Sequence, residues 1–175
     1  MTPEEKARRH NEKVLEKCKL GDLLEIPRTG YSHWAVYVGL GDNGCKNVVH
    51  VWRRYKDRKP GDRDLCCKNA DGSKCDTTIM EQSFWSVVGN SQVKRHNSRS
   101  PFTPEEIVKR ARSKLCKPYN YSLAKNNCEA FANWCRYGEN ISRQGDNAIR
   151  LGGTVMCMSL MVVVLTIVYL KIKHS

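Results

Sequence analysis

The sequence predicts an α+β fold, in which an antiparallel sheet packs on helices and a C-terminal transmembrane helix follows. Three segments rich in β-branched and aromatic residues, separated by turn residues, lie at 23–26, 33–39 and 47–52. Two segments with helix-start and helix-stop residues follow them in the C-terminal half. The third observation is an uncharged apolar run at residues 151–170, which is long enough to span a bilayer.

The strand segments are separated by strong turn sequences. Gly21-Asp22 precedes the first strand and Pro27 follows it, while residues 41–44 (Gly-Asp-Asn-Gly) separate the second strand from the third. Because the intervening turns are short, the three strands should form an antiparallel meander. Residues 77–88 are expected to contribute another strand.

The helices are predicted from their capping residues. The sequence Thr-Pro-Glu-Glu occurs at residues 2–5 and 103–106, where Thr can cap, Pro fits the first turn and the second Glu completes a capping box. Asn127 is a good N-cap for a further helix over residues 129–137, which Gly138 should end.

These elements divide the chain of 175 residues into four parts. We expect a polar N-terminal helical arm at 1–19, one compact domain at 20–142, a linker at 143–150 and a membrane anchor at 151–170. A helix of the anchor's length spans about 30 Å, the thickness of the hydrocarbon core. The N-terminus has no apolar signal-peptide core. We therefore expect a single-pass, C-terminally anchored protein of the endoplasmic reticulum or peroxisome membrane, with its domain facing the cytosol.

The charge balance favours anionic partners. The chain has 30 Lys plus Arg against 18 Asp plus Glu, a net charge of +12. Nucleic acid and anionic lipid headgroups both attract such a surface. No nucleic-acid-binding motif accompanies the basic residues. With a membrane span nearby, we expect the membrane, and not nucleic acid, to be the partner.

Cys128 is the strongest candidate for a nucleophile. It lies in the first turn after Asn127, where free backbone N–H groups and the helix dipole stabilise a thiolate. A nucleophilic Cys needs an imidazole base and a polar group that orients it. His33 and His50 lie on predicted neighbouring strands and can supply both. His10 and His96 are expected to be solvated, and His174 lies beyond the membrane span.

No metal or cofactor is predicted. Cys66, Cys67 and Cys75 are clustered, but their spacing matches no paired CxxC zinc pattern and no His lies nearby. The role of this cluster stays open. In a chain without an export signal, the nine cysteines are expected to be free thiols.

Two groups of residues resemble one known family. Residues 21–28 (GDLLEIPR), 33–39 (HWAVYVG) and 48–50 (VVH) are similar to the opening of the lecithin:retinol acyltransferase-like family, and 127–131 (NCEAF) with 136–138 (RYG) resemble its nucleophile motif. The order of these motifs and the C-terminal apolar run resemble its HRAS-like suppressor branch, the phospholipase A/acyltransferases. The resemblance covers roughly residues 20–170.

The resemblance implies a permuted papain-like fold and a thiol-dependent phospholipase A1/A2 and acyltransferase. In that interpretation Cys128 is the nucleophile, His33 the general base and His50 the orienting residue. Cys128 takes an acyl group from a glycerophospholipid as a thioester and passes it to water, an amine or a lysophospholipid. The backbone N–H of Cys128, aided by Tyr31, is the expected oxyanion donor.

Two departures from the family accompany these expectations. Ala130 stands where the family usually has His, and the turn between the two His strands is longer, with residues 41–46 inserted. The short chain favours phospholipid over retinol as substrate.

Two other functions stay open: a non-catalytic membrane-remodelling or partner-binding protein, and a cysteine peptidase. If His33 is the base for Cys128, the pair should titrate as a unit near neutrality.

Overall fold

The computed structural model describes residues 1–42, 44–53, 76–122, 125–147 and 149–151. Within them the architecture is α+β, as predicted. The elements in chain order are α1 Pro3–Lys17, β1 Leu23–Arg28, β2 Tyr31–Leu40, β3 Lys46–Arg53, β4 Thr77–Ser83, α2 Phe84–Val88, β5 Lys94–His96, α3 Pro104–Arg112 and α4 Cys128–Tyr137.

The five strands form one antiparallel sheet in the order β4-β3-β2-β1-β5. The predicted meander of β1, β2 and β3 is confirmed, and these three strands form the centre of the sheet. β1 continues through Pro27, which pairs with Ser32 on β2. The strand expected at residues 77–88 is β4 only in its first half, because Ser83 caps a new helix by accepting a hydrogen bond from the Ser86 N–H.

Apolar side chains cover both faces of the sheet because successive strand residues point to opposite faces. On one face the buried cluster joins strand residues to α3 and α4: Leu23, Val36, Val38, Val49, Val51, Ile79, Ile107, Val108, Phe131, Ala132 and Cys135. On the other face the buried cluster joins strand residues to α1 and α2: Leu15, Leu24, Ile26, Ala35, Tyr37, Val48, Phe84, Val87 and Val88. The domain thus has a helical layer on each side of one sheet.

The predicted helix caps are present. Thr2 and Thr103 each form a complete capping box, and Asn127 accepts a hydrogen bond from the Ala130 N–H at 3.0 Å. α4 begins at Cys128 and ends at Gly138, whose φ of 82° is left-handed. Residue 128 is therefore the first residue of its helix.

His10 and His96 keep solvent access, as expected: His10 is exposed and the His96 side chain is 39% exposed. His10 Nε2 lies 2.8 Å from the Val93 carbonyl oxygen, and His96 Nε2 lies 3.0 Å from Glu25 Oε2. The unpredicted β5 supplies these contacts, because it brings residues 91–96 against β1 and α1. Asn11 is buried there, accepting from the Val93 N–H and donating to the Ser91 carbonyl.

Among the described residues, Cys18, Cys45, Cys128 and Cys135 form no disulfide. Cys116 is disulfide-bonded, so the expectation of free thiols is wrong at that position. The predicted cluster of Cys66, Cys67 and Cys75 lies outside the described residues.

The predicted membrane anchor at 151–170 also lies outside the described residues, apart from Leu151. Among the residues that the structure describes, no helix is both long enough and apolar enough to cross a bilayer.

A glycine at the start of β1 sets how closely α3 packs on the sheet. Gly21 has a φ of +79°, and a Cβ there would lie 2.9 Å from Ile107 Cδ1. Gly30 has nearly the same φ, +80°, but no atom within 4 Å of such a Cβ. Gly21 therefore has both a backbone reason and a packing reason to be glycine, whereas Gly30 has only the first.

We expect Gly21→Ala to lower the free energy of unfolding by about 2–4 kcal/mol, because left-handed strain and overpacking add. Gly30→Ala, the matched control, should lose only about 1–2 kcal/mol from the backbone strain. Urea unfolding of the two variants and the parent chain measures both. Equal losses in the two variants would show that the Ile107 contact does not limit the packing.

Candidate functional site

The two strand histidines form a hydrogen-bonded pair. His33 Nε2 lies 2.9 Å from His50 Nδ1, and the ring planes meet at 89°. The β2–β3 register pairs Ala35 with His50, so His33 and His50 are diagonal neighbours on one face of the sheet. The structure therefore brings together the two histidines that the sequence singled out.

β2 and β3 separate just beyond this pair. The pairing of the two strands ends at Ala35 and His50; residues 31–34 of β2 pair only with β1, and residues 51–53 of β3 pair only with β4. The first residue of α4 lies beside the unpaired part of β2: Cys128 Sγ donates to the Ser32 carbonyl oxygen at 3.7 Å. The thiol thus lies against the backbone on either side of His33, since the Trp34 backbone also contacts it.

Side chains beyond α4 hold its N-terminus against β2. Gln144 Nε2 donates to the same Ser32 carbonyl at 3.0 Å, and its Oε1 accepts from the Ser32 N–H at 2.7 Å. The buried Glu129 carboxylate accepts from Ser142 Oγ at 2.6 Å and from the Gln144 N–H at 2.9 Å. Asn127 Nδ2 donates to Ser142 Oγ. This network joins the cap of α4 to the strand that carries His33.

Burial keeps both histidines neutral. Desolvation, the neighbouring His50 and the Arg28 guanidinium lower the pKa of His33 well below its ordinary value. Desolvation also lowers the pKa of His50, and its hydrogen bond to Gln82 offsets this only in part. At neutral pH each ring therefore has a nitrogen lone pair, so His33 can accept a proton.

The Cys128 thiol is also neutral. Its burial raises the pKa, although hydrogen bonds from the backbone N–H groups of Trp34, Glu129 and Cys128 itself favour the thiolate. The helix N-terminus thus acts in the predicted direction, but desolvation is larger. The pKa values of Cys128 and His33 move apart, so the expectation that the pair titrates near neutrality is wrong. The arrangement fits a thiol that loses its proton during attack.

Tyr31, the expected second oxyanion donor, lies two residues before His33 on the same face of β2 and is 51% exposed. Its predicted role stays a prediction. In the part of the chain that the structure describes, no group of three or more His, Cys, Asp or Glu side chains could hold a metal ion.

Sequence reasoning missed three residues of this site. Gln82, on β4, lies 2.9 Å from His50 Nε2 through its Oε1. Gln144 and Ser142 complete the network around Cys128. Gln82 lay within a predicted strand, but only the β3–β4 register brings it beside His50. No signal in the sequence indicated that residues 142–144 return to β2.

A model of the lecithin retinol acyltransferase family matches residues 16–141. The chain belongs to this family. The match includes all three candidate residues and the whole five-stranded sheet.

The curated relatives come from the phospholipase A/acyltransferase branch. Human phospholipase A and acyltransferase 2 is 34% identical over 125 residues, which are 69% of this chain and 71% of the relative. Human phospholipase A and acyltransferase 1 is 36% identical over 126 residues, 70% of this chain and 69% of the relative. Human phospholipase A and acyltransferase 3 is 31% identical over 124 residues, 69% of this chain and 71% of the relative. The predicted branch of the family is therefore confirmed.

We expect acidification from pH 7 to pH 5 to lower the free energy of unfolding by about 2–4 kcal/mol. In the unfolded chain His33 and His50 regain their ordinary pKa and bind protons as the pH falls below about 6.5. In the folded chain their lowered pKa values keep them neutral, so stability is lost as the pH falls. Urea unfolding at the two pH values measures the loss.

His50→Gln is the control for this experiment, because it removes one of the two titrating rings and should reduce the pH dependence. An unfolding free energy that is the same at both pH values in the parent chain would show that the folded histidines protonate normally.

Proposed function

We propose that this protein is a phospholipid acyltransferase and phospholipase A that uses Cys128 as nucleophile and a thioester acyl-enzyme. The observation that carries the proposal is the position of the Cys128 thiol, at the start of α4 and against the backbone that flanks His33, whose ring is bonded to His50. A nucleophile, a base and an orienting group on three separate elements are the parts that acyl transfer needs.

In the first step the sulfur of Cys128 attacks the ester carbonyl of a glycerophospholipid while His33 takes the thiol proton through Nδ1. Nε2 of His33 stays bonded to His50, which holds the ring in place. Backbone N–H groups at the start of α4 stabilise the oxyanion, with Tyr31 as a further donor. When the intermediate collapses, the glycerol oxygen leaves with the proton from His33, and the acyl group stays on sulfur.

In the second step the acceptor decides the product. Water yields a free fatty acid, an amine yields an amide, and the hydroxyl of a lysophospholipid yields a new phospholipid. His33 removes the acceptor's proton and returns it to sulfur as the thioester breaks. One acyl-enzyme therefore supports both activities in the names of the human relatives.

We propose the predicted permuted papain-like arrangement and membrane anchoring as part of this function. The net charge of +12 favours the anionic surface of a membrane. An apolar anchor at 151–170 would hold the domain on the cytosolic side of the endoplasmic reticulum or peroxisome membrane, at its substrate. A phospholipid at that surface is a simpler substrate than retinol.

The test uses the full chain and its Cys128→Ser variant in mixed micelles of phosphatidylcholine with an amine acceptor, and mass spectrometry of the products. We expect free fatty acid and N-acylated amine from the parent chain, and at least a 100-fold lower rate from the variant, because an unactivated hydroxyl replaces the thiol. His33→Asn should lose about 100- to 10,000-fold, the usual contribution of a general base.

Trapping the intermediate makes the test sharper. Brief incubation with lipid followed by acid quenching should leave one acyl chain on the Cys128 peptide of the parent chain, and hydroxylamine should remove it. Cys135→Ser, which changes a buried thiol of α4 without touching Cys128, is the matched control and should keep the adduct. Lipid binding without turnover in every variant would favour a non-catalytic membrane protein, and peptide turnover without lipid would favour a peptidase.

A further inference from the structure

A third side chain extends the histidine pair across the sheet. His50 Nε2 lies 2.9 Å from Gln82 Oε1, while His50 Nδ1 lies 2.9 Å from His33 Nε2. The β3–β4 register pairs Gln82 with Val48, which is two residues from His50 on β3. Gln82 therefore lies on the same face of the sheet as His50. The three side chains form one line of hydrogen bonds over β4, β3 and β2, ending at the His33 ring on the strand whose backbone the Cys128 thiol contacts.

Each link of this line has one proton to share. A neutral imidazole carries one N–H, so it donates from one nitrogen and accepts at the other. Gln82 Oε1 can only accept, and His50 must therefore donate to it from Nε2 and accept at Nδ1. His33 then donates from Nε2, which leaves Nδ1 without a proton. The opposite amide orientation reverses every step and leaves His33 Nδ1 protonated.

We propose that Gln82 is a positioning residue that sets the tautomers of His50 and His33, so that His33 Nδ1 is the free base at the thiol. The proposal rests on the function proposed above for Cys128 and His33. Gln82 touches neither the thiol nor the substrate site; it acts through His50. Its amide oxygen has the role that an orienting carboxylate has in a Ser-His-Asp triad, without adding a charge to a buried site.

The neutral side chain of Gln82 suits its surroundings. His50 is buried, and the guanidinium of Arg28 disfavours a second proton on the ring of His33 or of His50. A neutral acceptor directs the proton of His50 and raises the pKa of the ring by less than burial lowers it, so that no second proton binds. Each ring therefore keeps a single proton, which is the condition for a fixed tautomer.

The first experiment reads the tautomers directly in the full chain, labelled with ¹⁵N-histidine and held in detergent micelles at pH 7.5. Two-bond ¹⁵N–¹H correlation spectra separate protonated from unprotonated ring nitrogens. His33→Asn and His50→Asn spectra assign the two rings. We expect Nε2–H in both His33 and His50. Nδ1–H in either ring of the parent chain overturns the proposal without any Gln82 variant.

The second experiment removes the acceptor with Gln82→Met, which keeps the length of the side chain. We expect mixed tautomers in both rings and a roughly 10- to 100-fold lower kcat with little change in KM, because general-base catalysis is impaired while lipid binding is not. Fixed Nε2–H tautomers in a folded Gln82→Met chain would overturn the proposal, as would an unchanged kcat.

Glu81→Met is the matched control. Glu81 precedes Gln82 on β4 and points to the opposite face, where it bonds Asn47 Nδ2 at 3.1 Å and Arg112 Nε at 2.9 Å. The same substitution there should lower stability but leave the tautomers and kcat unchanged. A loss of fixed tautomers in this variant as well would show that Gln82 acts only through the packing of β4.

The spectra also separate this inference from the proposed function. They report protons on the imidazole nitrogens and need no turnover. A parent chain without lipid activity refutes the proposed function, whereas a wrong tautomer refutes the role of Gln82.

Discussion

The register between β2 and β3 is the constraint on which the candidate site depends. It pairs Ala35 with His50 and so puts His33 and His50 on one face at hydrogen-bonding distance, 2.9 Å. A slip of one residue would turn one ring to the opposite face of the sheet. The same pairing ends at Ala35 and His50, and the separation of the strands beyond that point leaves the backbone of Ser32 and Trp34 free to contact Cys128.

The environment of Cys128 results from two opposing effects. The N-terminus of α4 supplies backbone N–H groups that favour a thiolate, as a free helix end does for any anion. Burial of the thiol in a sheet–helix interface opposes this and is the larger effect. Because His33 and His50 are neutral, neither can hold a thiolate as an ion pair. In the function that we propose, the thiol therefore loses its proton during the attack on the substrate.

The nucleophile helix is held by the segment that follows it. Glu129 is buried and accepts from Ser142 and from the Gln144 backbone, and the Gln144 side chain makes two hydrogen bonds to Ser32. A buried carboxylate needs such partners because its desolvation is expensive. In satisfying Glu129, the chain also fixes the distance between the start of α4 and β2, the strand that carries His33.

Much of the fold could be predicted from local chemistry. Capping residues defined the starts of α1, α3 and α4, and turn residues separated the three central strands, because these signals act within a few residues. The candidates Cys128, His33 and His50 followed from the same reasoning, as did the family through its two motifs. The resemblance, and not composition, supplied the substrate class.

Tertiary structure decided what depends on residues far apart in the chain. Strand register brings Gln82 to the site, and the return of the chain after α4 brings Ser142 and Gln144. Neither of these two features leaves a local pattern in the sequence. The same holds for β5, which gives His10 and His96 hydrogen-bond partners that no local pattern indicated. Tertiary structure also decides the pKa of Cys128. The sequence shows the capped helix start that favours a thiolate, but desolvation depends on how many distant atoms pack around the sulfur.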